Sequence, residues 1–310
     1  NLSSDPVPYA QELADNPYVG SWSSGGSLNT ARSSIGGAGI QTAALAFGGD
    51  EPGNSNSTEE YDGSSWTAGG NMGTARRLLA GCGTQTAGLA IGGFITAVTN
   101  AVEEYDGSSW TDGGALSTAR RNLAAAGIQT AALAFGGIDT AATGATEEYN
   151  GSSWTAGGTL GTARGSLAGS GTQTAGLAFG GYTTTQSGAT EEYDGSSWTA
   201  GGTMNTARSL LAGCGTQTAA LAFGGTTGSV TGATEDYDGT SWTEVADLAT
   251  SRAYLGGAGT NTLALAFAGE VPPVTGATEE WAFTGLDPST TPAADYADAI
   301  VGDFYYNSTT

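Results

Sequence analysis

The chain has 310 residues, with Gly at 53 of them, 38% hydrophobic and 12% charged residues. Gly is about 7% of an ordinary soluble protein, so this chain is rich in turns and small side chains. Its eight basic residues are all Arg, against 30 Asp plus Glu and no His, which gives a net charge of −22. That balance excludes a protein that tracks nucleic-acid phosphates and opposes docking on an anionic membrane. The lack of His removes the commonest general base and metal ligand, so neither a metal nor a cofactor is expected. No apolar run approaches the ~20 residues of a membrane span, and no signal-like segment opens the chain, so it reads as soluble. It starts at Asn1 rather than Met, which implies processing or a larger parent chain.

Length alone suggests about two domains, but an internal repeat replaces that estimate. Residues 1–21 read as an N-terminal extension leading into a strand at Trp22. From there Trp22, Trp66, Trp110, Trp154, Trp198 and Trp242 recur every 44 residues, and Arg32, Arg76, Arg120, Arg164, Arg208 and Arg252 keep the same interval. Gly pairs fall at Gly48 and Gly49 and at the equivalent positions, with Ala268 and Gly269 as the degenerate copy. A Glu-Glu-Tyr triplet follows each pair, degenerate at Asp236 and Trp281. Glycine and Asp-Gly signals cut each unit into four short strands. The first lies around Leu78, Leu79 and Ala80. A Gly-Thr-Gln turn then leads to a second strand over 86–91, where alternation predicts one face of large and one of small side chains. The third carries Glu59, Glu60 and Tyr61. Asp62 and Gly63 make a tight hairpin turn, and Ser65 and Trp66 begin the fourth strand.

Six such units predict an all-β, six-bladed propeller over residues 22–285, since a four-stranded unit of this size buries both faces only when neighbours stack on it. Trp22 has no preceding Glu-Glu-Tyr and Trp281 no following Trp, so the N-terminal strand is expected to complete the sixth blade, whose other strands come from 252–284. Such closure is expected to leave no open sheet edge. Beyond the ring, 286–292 reads as a stiff polar linker and 300–306 as an aromatic end suited to anchoring on other subunits.

Adjacent residues of a strand point to opposite faces, so Glu59 and Glu60 cannot form a paired-carboxylate site within one blade. One Arg per unit, from Arg32 to Arg252, matches the carboxylates in number and predicts half-buried ion pairs rather than catalytic acids. The repeated Trp and Tyr, and Phe47 and its equivalents, read as packing. Asp62 and its equivalents lack the spacing of a calcium loop. Cys82 and Cys214 share one repeat slot on opposite blades, too far apart for a disulfide. Packing cannot explain where the blades differ, and they differ most in the loops after the Gly pairs. By symmetry these loops share one rim, and their candidate ligand-binding residues are Asp50, Glu51, Asn54, Phe94, Ile95, Asp139, Tyr182, Gln186, Ser229 and Glu270. Phe94, Ile95 and Tyr182 are expected to be exposed contacts.

An apolar segment ending in Gly-Gly, a spaced Tyr, a spaced Trp, and an Arg before the first strand resemble the kelch repeat across residues 22–285. The resemblance implies the propeller fold and little chemistry, because kelch propellers include enzymes, scaffolds and ligand binders. The galactose-oxidase type needs His ligands to copper, which this chain lacks. Ala, Gly and Thr replace the long apolar residues usual in kelch strands. That style, with Gly302, Asp303, Phe304, Tyr305, Tyr306 and Asn307, resembles repeat-bearing structural proteins of bacteriophage virions. The expected function is therefore a non-enzymatic interaction module, at a virion surface or otherwise extracellular, holding a host glycan or protein through its rim. The alternatives are a secreted carbohydrate-active enzyme, with Asp50 or Glu51 as its acid, and a general protein-interaction scaffold.

Overall fold

The structure, a computed structural model, describes residues 20–283. The expectations placed on 1–19, on the linker and on the aromatic end lie outside the described residues.

Six four-stranded antiparallel sheets form a β-propeller. The first blade runs from the channel outward as Gly36–Ile40, Ala43–Phe47, Thr58–Tyr61 and Trp66–Ala68, and the other five repeat this order. In the sixth, Gly256–Gly259, Leu263–Phe267 and Thr278–Ala282 are completed by Ser21–Gly25, whose Trp22 pairs with Trp281. The first and last described strands thus close the ring within one sheet. The outermost strands, such as Trp66–Ala68, remain sheet edges, contrary to the expectation of none. They are kept short, which limits what they can template.

The first strand begins later than the sequence pattern places it, at Ala80. Leu78 precedes it in a left-handed conformation, with φ 56°, and Leu79 is buried beside it. The second strand is buried on both faces: Ala44, Leu45, Ala46 and Phe47 are all 0% exposed. Large residues reach across to the next blade, where Leu45 and Phe47 pack with Leu79, Ala90 and Tyr105, and the Phe47 and Trp110 rings meet at 4.9 Å. Each fully buried Leu or Phe contributes about 1.5–3 kcal/mol, repeated at every blade interface.

Small residues have a geometric cause. A Cβ at Gly81 would lie 2.5 Å from the Gly37 carbonyl oxygen and 2.5 Å from the Phe47 ring. The inner strands converge so closely that Gly and Ala replace longer side chains there. The Asp62 turn is wider than a two-residue hairpin. Asp62 N–H donates to the Ser65 carbonyl at 3.1 Å, and the Asp62 carboxylate accepts from the Ser64 and Ser65 N–H groups, both at 2.8 Å. These bonds hold the exposed Asp62 carboxyl at a pKa of about 2.

Polar staples join the blades at repeated positions. Gln85 Nε2 donates to the carbonyls of Ala44 and Tyr61 in the previous blade. Trp110 Nε1 donates to Thr58 Oγ1 at 2.9 Å. Where Val102 replaces that Thr, Trp154 turns its Nε1 to the Gly114 carbonyl instead. The degenerate copy is likewise compensated: Trp281 replaces Tyr and donates to the Asn261 carbonyl, while Asn261 Nδ2 bonds Asp236.

Candidate functional site

Each Gly pair turns the chain at the end of the second strand with both residues at positive φ, as at Gly92 (61°) and Gly93 (111°). A Cβ at Gly93 would meet the Arg77 carbonyl oxygen at 2.8 Å. Glycine is therefore required by both conformation and space. The following residue pairs with the one directly after the repeated Arg: Asp50 with Ser33, Phe94 with Arg77, Ile138 with Arg121, Tyr182 with Gly165, Thr226 with Ser209 and Glu270 with Ala253. All six variable loops therefore lie on one face.

Their side chains are not equally available. Tyr182 is 41% exposed and Ser229 is exposed. Phe94 and Ile95 are only half-buried rather than freely exposed. Phe94 lies under two guanidinium groups, with Arg77 Cζ at 5.5 Å and Arg121 Cζ at 5.3 Å from its ring centre, a cation–π arrangement. The Ile95 carbonyl accepts Asn54 Nδ2 at 2.8 Å, tying two loops together. Asp50 forms an ion pair with Arg77 at 2.8 Å. Asp139 caps its own turn by accepting the Ala141 N–H at 3.0 Å, and backbone donors hold its carboxyl below the usual range. Glu51, Gln186 and Glu270 are half-buried on the same face.

Inside these loops lies a ring that the sequence reading missed. Ser34, Leu78, Asn122, Ser166, Leu210 and Tyr254 all have φ between 53° and 57°. The Leu78 N–H donates to the Ser34 carbonyl, Asn122 to Leu78, Ser166 to Asn122, Leu210 to Ser166, Tyr254 to Leu210, and Ser34 back to Tyr254, at 2.8–2.9 Å. This closed circuit of six hydrogen bonds fixes the channel mouth. Left-handed backbone costs a non-glycine residue about 1–2 kcal/mol, so six non-glycine side chains there are held by the surrounding ring. They line a cavity of about 110 Å³ together with Ile35, Leu79 and their equivalents. Asn122 Nδ2 donates to Ser166 Oγ at 3.0 Å. Burial raises the Tyr254 phenol pKa, with Glu270 adding to the rise and Arg121 opposing it. The missed signal was available in the non-repeating columns 33–34 and in the two arginines, Arg77 and Arg121, that break the period.

The repeated carboxylates are committed elsewhere. Arg32–Glu59, Arg120–Glu147 and Arg208–Glu235 are ion pairs at 2.7, 2.8 and 2.7 Å, and Arg76–Glu103, Arg164–Glu191 and Arg252–Glu279 repeat them. Every one of these guanidinium groups is 0% exposed, so the pairs are wholly buried rather than half-buried. The second Glu points the opposite way and accepts a phenol of the next blade: Tyr105 to Glu60 at 2.5 Å, Tyr149 to Glu104 at 2.6 Å and Tyr193 to Glu148 at 2.5 Å.

Burial, with the Glu acceptor second, raises the pKa of Tyr61, Tyr105, Tyr149 and Tyr193 to about 12. An unfolded phenol titrates near 10, so the folded state holds these protons more tightly. Their contribution is complete below pH ~10 and is lost as pH rises toward 12. Thermal melts are expected to fall steeply over that interval, with the buried phenols ionising together with unfolding in ultraviolet difference spectra. Early, independent ionisation of all 12 tyrosines would contradict these bonds.

At the opposite end of the channel, Cys82 and Cys214 line a second cavity of about 160 Å³. Both are free and buried, and burial pushes the Cys82 thiol up to about 12 and the Cys214 thiol up as well. So little thiolate near neutral pH makes both poor nucleophiles.

No protein-family model and no curated protein matches the chain. The geometry of its loop face therefore carries the functional argument.

Proposed function

We propose that the protein is a non-enzymatic interaction module, a kelch-like propeller at a bacteriophage virion surface, that holds a host glycan or protein on its loop face. One observation carries the reading: six loops of unlike sequence converge on one face of a scaffold that mostly repeats. A rigid frame that varies most there is suited to recognition. The commitment of the triplet carboxylates to Arg and Tyr, and of Asp50 to Arg77, favours binding over acid–base chemistry. The strong negative charge suits a protein exposed on a particle, since it opposes nonspecific association.

Transplanting 226–230 into the slots occupied by 50–54 and 182–186 tests this. The variant is expected to fold with an unchanged melt and to lose at least tenfold of its binding to intact host cells. Undiminished binding by a folded variant would remove the loop face from recognition.

A further inference from the structure

Six of the eight arginines are buried against Glu, and the seventh, Arg77, is paired with Asp50. The eighth is Arg121. In a chain with 30 acidic residues its guanidinium makes no ion pair and no side-chain hydrogen bond among the described residues. It is half-exposed on the loop face, stacked on Phe94, and its chain neighbour Asn122 lines the channel mouth. Stacking fixes the plane of the guanidinium; its Nε–H is buried, which leaves the terminal N–H groups for an acceptor from outside. Ser34, Asn122, Ser166 and Tyr254 add hydroxyl and amide groups around the adjoining cavity, with Leu78 and Leu210 between them.

Building on the glycan-binding reading above, we infer that Arg121 and the channel mouth form a subsite for the carboxylate of a terminal acidic sugar. A planar carboxylate matches the guanidinium fork, and the hydroxyl and amide lining suits the adjoining sugar hydroxyls. The cavity of about 110 Å³ takes one end of a ligand rather than a whole oligosaccharide. Long-range repulsion from a net charge of −22 disfavours a polyanionic chain, whereas a single carboxylate can be captured locally. Asp50 restrains the site by neutralising Arg77, the second cation on Phe94.

The test titrates the full chain with glucuronate, glucose and an acetylated Glu-Glu dipeptide, following the Arg Nε–H signals by NMR and affinity by calorimetry. Glucuronate is expected to shift the signal of Arg121, whose side chain is half-exposed, while leaving those of the six arginines that are 0% exposed in place. Glucose is expected to bind at least tenfold more weakly. Arg121→Gln should weaken glucuronate about tenfold without changing the melt, and Asp50→Asn should strengthen it several-fold by freeing Arg77. Equal binding of glucuronate and glucose, or full affinity in R121Q, overturns the subsite. A shift produced by the dipeptide but not by glucuronate also overturns it, assigning the cation to an acidic peptide. If the loop transplant abolishes host-cell binding while R121Q binds glucuronate as tightly as the unmodified chain, the recognition face stands and only this subsite falls.

Discussion

Arg120→Met is expected to destabilise the protein by about 3–5 kcal/mol, because it leaves the Glu147 carboxylate buried without its cation. Arg120 Nη2 lies 2.8 Å from Glu147 Oε1, and the two side chains are 0% and 4% exposed. The guanidinium also donates to the Ala145 and Gly136 carbonyls at 2.6 and 3.0 Å; the Gly136 carbonyl loses that partner, while Ala145 keeps the Gly136 N–H. Adding Glu147→Leu removes the stranded charge and is expected to restore part of the loss. It cannot restore all of it, because Ser117 N–H and Oγ also donate to Glu147. Denaturant unfolding of the two single variants and the double variant forms the cycle that measures the coupling. A wild-type midpoint for Arg120→Met, or strictly additive losses, would show that the pair is not a structural unit.

The same pair marks what was legible in the sequence. Equal numbers of Arg and Glu at one period give the pairing, and alternation along a strand gives the separation of Glu59 from Glu60. The depth of burial does not follow from spacing, since it depends on how closely the inner strands converge. That convergence also explains the delayed first strand: Leu78 turns through a left-handed conformation at the channel mouth before Ala80 enters the sheet. Loop placement follows from symmetry, whereas Phe94 sits beneath Arg121, which belongs to the next blade and lies 27 positions further along the chain. A contact set by blade stacking has no local sequence signal. The inner mouth ring is different, because its six positions carry four residue types in a chain whose neighbouring columns repeat, and are visible once every column is compared.

Removing residues 1–25 is expected to abolish cooperative folding. The deletion takes away Ser21–Gly25, which pairs along Thr278–Ala282, and strips Trp22 from Trp281, whose ring centre lies 5.4 Å away. Trp281 is 0% exposed in the closed ring and would become part of an open apolar edge, a template for pairing with other chains. Aggregation and a broadened melt are the expected readouts, with deletion of 1–18 alone separating the strand's effect from that of the preceding segment. A rearranged chain should recover the fold. In the first blade Tyr61 pairs with Trp66 across the connection Asp62, Gly63, Ser64 and Ser65, and Trp281 pairs with Trp22 at the equivalent register. A chain beginning at Gly26, with Trp281 joined to Trp22 by Asp-Gly-Ser-Ser and ending at Gly25, converts the closure into an ordinary hairpin. Its melt is expected to be cooperative, because every blade keeps its four strands and only the terminal Ser21–Ala282 and Leu263–Ala282 pairs are given up. Failure of this permutant, together with folding of the deleted chain, would show that the terminal strand does not close the ring.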